Sequence, residues 1–474
     1  MKKVGKKIGI VLAALVLVFA LMLAGCAKEA ASVISIQKTD SNGKQDIYTV
    51  YYSDGTTSSM TVTNGNDITV EMLYAYYKQV YGDELTYAEF LEKYLSVTTD
   101  NSAVIGECLQ SSVKLYTEFV ETTTVSSGIF GGITSSQTAV YTGSGVIYDM
   151  DEDYTYIITN YHVVFDNKAG AANGNSQLAR KIVCYLYGSE GDPAPDGRGM
   201  DGYQAYDYGD YAIECEFVGG SVTNDIAVIR AETRDISQIN PNVATAEFAS
   251  EYHVGETAIA IGNPEGAGIS VTEGIVSVDN EYISLQIDST TRSYRSLRID
   301  TAIYGGSSGG GLFNLHGELI GITNAGNSTD QNINYAIPLE IAKGTADNIL
   351  YYHRDGDDST NGVYKVYFGV GIVVQNSRYI YDASSGYGRI QEEIVVNSTE
   401  RNSIAKTIGL EVNDRLTAIN IGDRKITLDR EFDISDAALL VRPGDTVSFD
   451  VTRGGTAMTS GSYTVKSSDL TLVS

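Results

Sequence analysis

The sequence predicts a mainly β protein, with a large β-rich segment between two smaller α+β units. Two observations support this prediction. The 474 residues include 49 Gly but only 6 Pro, and short apolar stretches punctuated by turn residues recur from about residue 103 to 340. Such a pattern is typical of a β-sandwich or β-barrel. The length indicates about three domains.

The formal net charge of −27 excludes one large class of partners. Phosphate backbones would be repelled by such a chain, so we expect no nucleic-acid partner. The hydrophobic fraction of 43% and the charged fraction of 20% are ordinary for a globular protein. A solvated acidic surface is the simplest interpretation of the charge.

Residues 1–25 read as an export signal. Four lysines within the first seven residues precede an apolar run and the motif Leu-Ala-Gly-Cys that ends at Cys26. This order is typical of a secretory signal, and the motif resembles a bacterial lipobox, which implies lipidation of Cys26. The alternative is an uncleaved anchor, because residues 8–27 could just span a bilayer. Both interpretations predict an extracytoplasmic protein held at a bacterial cell membrane.

Residues 26–100 form the predicted N-terminal accessory unit. Two Thr- and Tyr-rich stretches, 45–52 and 56–63, flank Ser53-Asp54-Gly55 and predict a hairpin. Two short helices should follow, and Thr86 would open the second as a capping residue. No chemistry is visible in this unit, so a spacer or a partner-binding module is expected.

Three cysteines follow Cys26. Export permits disulfides, and Cys184 and Cys215 lie in apolar stretches that could be neighbouring strands. They either form a bridge or remain buried and reduced, as Cys108 would. No Cys/His spacing suits zinc, and we expect neither metal nor cofactor.

Candidate catalytic residues stand out in three places. Of four histidines, His162 ends an apolar strand; Asp225 opens another; and Ser308 lies in Gly-Gly-Ser-Ser-Gly-Gly. A serine nucleophile needs a base and donors for the oxyanion, glycines let amides converge, and a carboxylate fixes the imidazole tautomer. Read alone, each has a plainer interpretation: a structural histidine, a capping aspartate and a flexible loop.

Together, in the order His, Asp, Ser, these segments resemble HtrA/Deg-type trypsin-like serine proteases. Residues 143–147 and 261–264 also look like segments of that family. The resemblance implies a chymotrypsin-like double β-barrel over residues 103–353. It makes His162 the base, Asp225 its partner and Ser308 the nucleophile. The implied oxyanion hole consists of Gly306, Ser307 and Ser308. The sequence departs from the family at two positions, where Ser307 replaces the usual Asn and Gly311 replaces the usual Pro. Ser307 is also a rival candidate for the nucleophile.

The resemblance also implies a specificity pocket between two segments. Its position that holds Asp in trypsin-like enzymes matches Ala302, so we expect a preference for small or medium apolar residues. The predicted pocket residues are Ala302, Ile303, Tyr304, Ile322, Thr323 and Asn324. The stretch from His162 to Asp225 is longer than usual, and its acidic part, residues 188–210, is either a solvated loop or a calcium site; no EF-hand-like spacing supports calcium.

Residues 364–472 resemble a PDZ domain, after a polar linker. The segment Tyr367-Phe368-Gly369-Val370 resembles its carboxylate-binding loop, and short helices are expected at 403–408 and 436–441. PDZ domains capture peptide termini or strands.

The predicted function is a serine endopeptidase that cleaves unfolded or damaged proteins, or processes a regulator. A homo-trimer is possible by resemblance. The alternative is a proteolytically inactive PDZ-containing chaperone or stress sensor, and a purely structural lipoprotein would leave the motifs unexplained.

Overall fold

The structure is a computed structural model, and it falls into two units. One unit comprises residues 1–99 with 381–387, and the other comprises residues 100–380 with 388–474. The predicted signal, Cys26 and most of the predicted N-terminal helices lie outside the described residues. Those described are 33–41, 45–52, 57–63, 74, 78, 86, 101–126, 132–326, 332–354, 362–382 and 386–473.

The first unit contains a three-stranded antiparallel sheet in the order β1-β2-β3. Its second and third strands pair from Gln45↔Thr63 to Tyr51↔Thr57, which confirms the predicted hairpin. The strands are β1 (Val33–Ser41), β2 (Gln45–Tyr52) and β3 (Thr57–Thr63).

In the second unit, six strands close into a first barrel in the order β10-β11-β6-β5-β4-β7. Buried aliphatic side chains such as Leu115, Ile157 and Ile229 fill it. Two further strands, β8 and β9, form a separate hairpin within the acidic insertion. The strands are β4 (Ser112–Ser126), β5 (Gly132–Met150), β6 (Tyr154–Thr159), β7 (Lys181–Leu186), β8 (Ala194–Arg198), β9 (Gln204–Asp207), β10 (Ile213–Ser221) and β11 (Ile226–Glu232).

A second barrel follows in the order β12-β13-β14-β17-β16-β15. Two closed barrels in sequence confirm the predicted mainly β, chymotrypsin-like architecture. The strands are β12 (Thr257–Gly262), β13 (Ser270–Gln286), β14 (Thr291–Ile299), β15 (Gly311–Phe313), β16 (Leu319–Gly326) and β17 (Asn334–Pro338).

One apolar cluster joins the two barrels. It unites Ile158 and Val228 of the first barrel with Ile261 and Phe313 of the second. Each is at most 1% exposed, and burying such a side chain contributes about 1.5–3 kcal/mol. The cluster therefore fixes the two barrels against each other, which matters because the candidate site draws on both.

Short helices connect the barrel strands, and one long helix closes the second barrel as predicted. The helices are α1 (Ser102–Cys108), α2 (Tyr161–Val164), α3 (Thr233–Ile239) and α4 (Leu339–His353). Short 3-10 turns occupy Ala171–Asn173 and Pro264–Gly266.

The C-terminal region has its own core around Phe368, Ile419 and Phe449. A seven-stranded sheet has β19 at one edge, next to β20. Helix α5 agrees with the predicted helix at 403–408, whereas α6 begins three residues before the second prediction. The elements are β18 (Val363–Val366), β19 (Val370–Asp382), β20 (Tyr387–Thr399), α5 (Ile404–Thr407), β21 (Arg415–Ile421), β22 (Arg424–Thr427), α6 (Asp433–Ala437), a 3-10 turn (Ala438–Leu440), β23 (Thr446–Arg453), β24 (Thr456–Thr459), β25 (Tyr463–Thr464), a 3-10 turn (Ser467–Asp469) and β26 (Leu470–Val473).

All three described cysteines are reduced, but only Cys108 and Cys184 are buried, whereas Cys215 is partly exposed. Strands β7 and β10 are neighbours, with Cys184 opposite Ile213 and Cys215 opposite Ile182. Cys184 and Cys215 are both free, as is Cys108. The two cysteines are thus diagonal neighbours that carry no bridge in this structure.

Candidate active site

His162 lies one turn beyond the buried strand β6. Asn160 is extended, with φ −77° and ψ 149°, and the single turn of α2 begins after it. Val163 and Val164 are buried in the first barrel, so they anchor the turn. The imidazole of His162 is left 32% exposed, at the surface between the barrels.

Asp225 precedes β11 and is completely buried. Its φ of +52° lies in the left-handed region, which aspartate adopts more readily than most residues. The backbone is held there because the Asn160 side-chain amide donates to the Asp225 carbonyl oxygen at 2.9 Å. A strained conformation persists where its surroundings fix it in this way.

Two hydrogen bonds join His162 to Asp225. The backbone amide of His162 donates to Asp225 Oδ1 at 3.0 Å, and Nδ1 lies 2.8 Å from Oδ2. Since a carboxylate only accepts, Nδ1 carries the proton and Nε2 of the neutral ring is left as an acceptor. Burial lowers the pKa of His162, but the charge and hydrogen bond of Asp225 outweigh it and raise that pKa above 6.5.

Two glycines of the turn around Ser308 adopt a backbone conformation that other residues rarely tolerate. Gly306 has φ +96° and Gly309 has φ +86°. A Cβ on Gly306 would lie 2.4 Å from the Asn263 carbonyl oxygen, and one on Gly309 would lie 2.3 Å from that of Ser144. Both contacts are with the backbone, which cannot move aside cheaply. The turn is therefore a packed element rather than a flexible loop.

The two adjacent serines differ in exposure. Ser307 is 7% exposed, and its carbonyl oxygen accepts from Thr323 Oγ1 at 2.6 Å. Ser308 is half-buried, and its hydroxyl donates to the Asn324 carbonyl oxygen at 2.9 Å. Among the hydrogen bonds that the described residues form, none joins Ser308 to His162.

Two amides of this turn are available for an oxyanion. Among the described residues, neither Gly306 N nor Ser308 N has an acceptor. Ser307 N donates to the Tyr304 carbonyl oxygen at 2.9 Å, so the prediction of Ser307 as a third donor does not fit this geometry. The donors of this turn that could receive an oxyanion are therefore the Gly306 and Ser308 amides.

Ser144 on β5 holds this turn from the first barrel. It is fully buried; its hydroxyl donates to the Gly306 carbonyl oxygen at 2.8 Å and accepts from Asn263 N at 2.8 Å. Thr142, on the same strand, accepts from the Asn263 side-chain amide at 2.6 Å. Sequence reasoning assigned Ser144 no role; the available signal was one hydroxyl between two glycines.

The predicted specificity residues separate into two groups. Ala302, Ile303, Tyr304 and Thr323 line a small cavity beside the Ser307 turn, together with residues of β12 and β13. Ile322 instead lies in the cluster between the barrels, with no exposed surface. The Asn324 amide is buried, and its nitrogen and oxygen have no hydrogen-bond partner among the described residues.

The predicted carboxylate-binding loop leads into the edge strand β19. Gly369 has φ +68°, and a Cβ there would lie 2.3 Å from Ser403 Cβ. Phe368 is buried in the C-terminal core and Tyr367 is 64% exposed. Within the described part of the chain, the amides of Phe368 and Gly369 donate to no acceptor.

The described residues offer neither a metal-binding cluster nor a membrane-spanning helix. They contain no group of three or more His, Cys, Asp or Glu residues arranged to hold a metal ion, the insertion at 188–210 included. No helix in the described ranges is both long and apolar enough to cross a membrane.

Comparison with known proteins identifies relatives of this chain. Residues 143–322 match the family model of the trypsin-like peptidase domain. The serine protease Do-like HtrA of Lactococcus lactis (strain MG1363) is 28% identical over 363 residues, 73% of this chain and 77% of that protein. The serine endoprotease DegS of Escherichia coli (strain K12) is 29% identical over 325 residues, 67% of this chain and 74% of that protein.

Solved structures show a similar likeness. The HtrA-type protease AlgW with decapeptide has a TM-score of 0.43 and 22% identity, covering 77% of this chain and 99% of that one. On the evidence of the family model and the two relatives in sequence, the chain contains a trypsin-like peptidase domain and is a homologue of the HtrA and DegS serine proteases.

Proposed function

We propose that this chain is a serine endopeptidase that uses His162, Asp225 and Ser308 as its catalytic residues. One observation carries the proposal: His162 Nδ1 lies 2.8 Å from the carboxylate of Asp225, which is fully buried. A surface histidine does not need such a partner. The pair fixes the tautomer and leaves Nε2 to accept a proton, which is the arrangement of a general base.

In the proposed reaction, Ser308 Oγ attacks the peptide carbonyl while His162 Nε2 takes the hydroxyl proton. The imidazolium, stabilised by Asp225, later gives this proton to the leaving amine. The oxyanion is received by the free amides of Gly306 and Ser308. Losing one such donor typically costs about 3 kcal/mol of transition-state stabilisation.

Substrate binding has to release the Ser308 hydroxyl. It donates to the Asn324 carbonyl oxygen at 2.9 Å, so a rotation of the side chain must precede attack. Hydrogen bonds between nucleophile and base are often absent before substrate arrives. An extended peptide that pairs with the strand at Asn324 would compete for this carbonyl and favour the rotation.

The substrates in this proposal are extended segments of unfolded or damaged proteins, or of a regulator that is processed. Ala302, at the position where trypsin-like enzymes carry Asp, offers no charge to a basic side chain. The half-buried Ala302 and the buried Ile303 favour a small or medium apolar residue before the scissile bond.

The C-terminal region, residues 364–472, would supply a second peptide site as a PDZ domain. The free amides of Phe368 and Gly369 suit a terminal carboxylate, and the edge strand β19 can accept an added strand. Each peptide held there raises the local concentration of its chain near the protease. Tyr367, exposed at the entrance, would contact the residue that precedes the terminus.

The location of this activity is the extracytoplasmic face of a bacterial membrane. Support comes from the sequence of residues 1–26, which reads as a signal followed by a lipidated Cys26. A homo-trimer is part of the same proposal and rests on resemblance alone.

The test compares the purified wild type with Ser308→Ala and Ser307→Ala in a fluorophosphonate labelling assay and with an unfolded protein substrate. Wild type and Ser307→Ala should label and cleave, whereas Ser308→Ala should do neither. Activity that survives in Ser308→Ala but not in Ser307→Ala would reassign the nucleophile.

A second candidate function is that of a proteolytically inactive chaperone or stress sensor that binds peptides through the PDZ region. It is favoured by one observation, the hydrogen bond of the Ser308 hydroxyl to Asn324 rather than to His162. Wild type that binds unfolded protein, yet neither labels nor cleaves with any activating peptide, would favour it over the protease.

A further inference from the structure

A buried lysine of the first barrel links the acidic insertion to a loop of the second barrel. Lys114 on β4 is 2% exposed. Its ammonium donates to Asp192 Oδ1 at 2.8 Å and to the Gly266 carbonyl oxygen at 2.9 Å. Asp192 belongs to the insertion between β7 and β8, and Gly266 closes the 3-10 turn that starts at Pro264. None of these residues belongs to the proposed triad.

The position of Lys114 is costly without its partners. A charge buried without partners loses several kcal/mol of hydration. Here Asp192 supplies the countercharge, and Tyr116 donates to the same oxygen at 2.8 Å. These two hydrogen bonds hold the pKa of Asp192 below its usual value, so the carboxylate is charged at neutral pH.

The loop that Lys114 holds continues to the oxyanion turn. Glu265 N donates to the Gly305 carbonyl oxygen at 2.6 Å. Glu265 itself has φ +56°, a conformation that costs about 1–3 kcal/mol and persists only where neighbours impose it. The hydrogen bond to Gly266, the next residue, is one such constraint.

Fixing the Gly305 carbonyl also fixes an oxyanion donor. The carbonyl of Gly305 and the N–H of Gly306 belong to one planar trans peptide unit, in which they point in opposite directions. While Glu265 holds the carbonyl on one side, the Gly306 N–H must face the other. Rotation of this unit would replace the donor with a carbonyl oxygen.

We propose that Lys114 is a positioning residue for the oxyanion hole, and that its pairing with Asp192 places this hole under the control of the insertion at residues 188–210. This inference rests on the proposed function. Loss of the ion pair frees the Gly266 turn, releases Glu265 from Gly305 and lowers the rate of acylation. Substrate capture is affected less than acylation, because neither Lys114 nor Asp192 lines the cavity beside Ser307.

The chain offers a matched control at the other end of the insertion. Asp201 pairs with Arg180 at 2.5 Å, and like Asp192 it is an exposed aspartate bound to a cation of the first barrel. Asp192 is the one whose cation reaches the Gly266 carbonyl. Each variant removes one aspartate from a cation of the first barrel, but Arg180 keeps a second carboxylate, Glu118 at 2.6 Å, whereas Asp192 is the carboxylate that pairs with Lys114.

The experiment uses the full chain with Asp192→Ala, Lys114→Met and Asp201→Ala. Asp192→Ala should lower kcat and the rate of fluorophosphonate labelling by about 10- to 100-fold, less than the loss of a whole donor, with KM within about twofold. Amide hydrogen exchange at residues 263–268 and 305–308 should accelerate in the same variant. Asp201→Ala should match wild type in all three measurements.

Lys114→Met tests the same step, provided that this variant folds. Asp192→Ala should disturb folding less, because the Asp192 side chain is 77% exposed. Either of two results in Asp192→Ala would overturn the inference. One is an unchanged kcat. The other is a lower melting temperature while kcat per fluorophosphonate-labelled site keeps the wild-type value. If wild type neither labels nor cleaves, the proposed function fails instead. Amide hydrogen exchange is then the remaining test. Equal exchange rates in Asp192→Ala and Asp201→Ala would reject the coupling between the insertion and the oxyanion turn.

Discussion

The two halves of the candidate site are held in different ways. His162 follows strand β6, and Asp225 precedes strand β11. These two strands are paired, with Thr159 opposite Ala227. The side chains of His162 and Asp225 bond each other. The turn from Gly305 to Gly310 has no such internal pair. It is held by hydrogen bonds from Ser144 of the first barrel, from Thr323 of the second barrel and from the loop after Asn263.

This difference separates local from distant control of catalysis. The proposed base, His162, is positioned within one sheet of one barrel. The proposed oxyanion donors lie in a turn that Ser144 bonds, 162 positions away from Gly306 in the chain. A change in the first barrel can therefore disable a donor in the second without touching a reacting group. Substitutions in each half should accordingly differ in how they affect base and donor.

Asp225→Asn should produce the largest loss. The amide removes the charge that stabilises the imidazolium and can donate to Nδ1, which favours the wrong tautomer; an equivalent change costs about 10⁴-fold in kcat in a related triad. Steady-state kinetics on a peptide substrate would measure it. Asp235→Asn, at an exposed aspartate on α3 that pairs with Arg234, should keep wild-type kcat. If kcat in Asp225→Asn falls by less than about tenfold, the result would argue against the role assigned to Asp225.

Gly306→Ala should lower kcat by about 10²–10³-fold, the effect of losing one oxyanion donor. The added Cβ would meet the Asn263 carbonyl oxygen at 2.4 Å, whereas a Cβ on Gly305 would meet nothing within 4 Å. Gly305→Ala is thus the control, one residue away. The labelling rate with a fluorophosphonate would report both variants, and equal rates would show that this turn is not the oxyanion hole.

Ser144→Ala should have a smaller effect, about tenfold in kcat. The change deletes the donor to Gly306 and leaves the amide of Asn263 without its acceptor, at a cost of about 1–3 kcal/mol in unfolding free energy. Ser136→Ala, elsewhere on β5, removes a hydroxyl that bonds Thr122 and should leave kcat intact. Kinetics and thermal melting together would reveal a purely structural role, in which stability falls and kcat does not.

Sequence patterns predicted the strands and the order of the site residues because both are local. An apolar strand that ends at His162, or opens after Asp225, is visible without knowing what lies opposite. Gly306 and Gly309 were visible as a glycine-rich run, although only the contacts with Asn263 and Ser144 explain why glycine is required there.

Contacts across the chain were not predictable in this way. Alternation along β4 would put Lys114 at the surface, but the insertion and the Gly266 turn cover that face. Ile322 lies on β16, where six successive residues are buried. With both faces buried, alternation cannot tell a pocket wall from a core residue, so Ile322 was assigned to the pocket by resemblance alone.

The smallest expected effect is a shift in the pH dependence, and it distinguishes the two halves directly. The pKa of His162 is raised above 6.5 because the attraction of Asp225 exceeds the opposing effect of burial. Only the neutral imidazole accepts a proton, so kcat/KM should rise with pH and level off above this pKa. The midpoint in wild type should therefore lie above 6.5. In Asp225→Asn the charge is lost while burial remains, so the midpoint should move below 6.5; in Ser144→Ala it should stay where wild type has it, because that variant alters the donors and not the base. A common midpoint in all three proteins would mean that the titrating group is not His162.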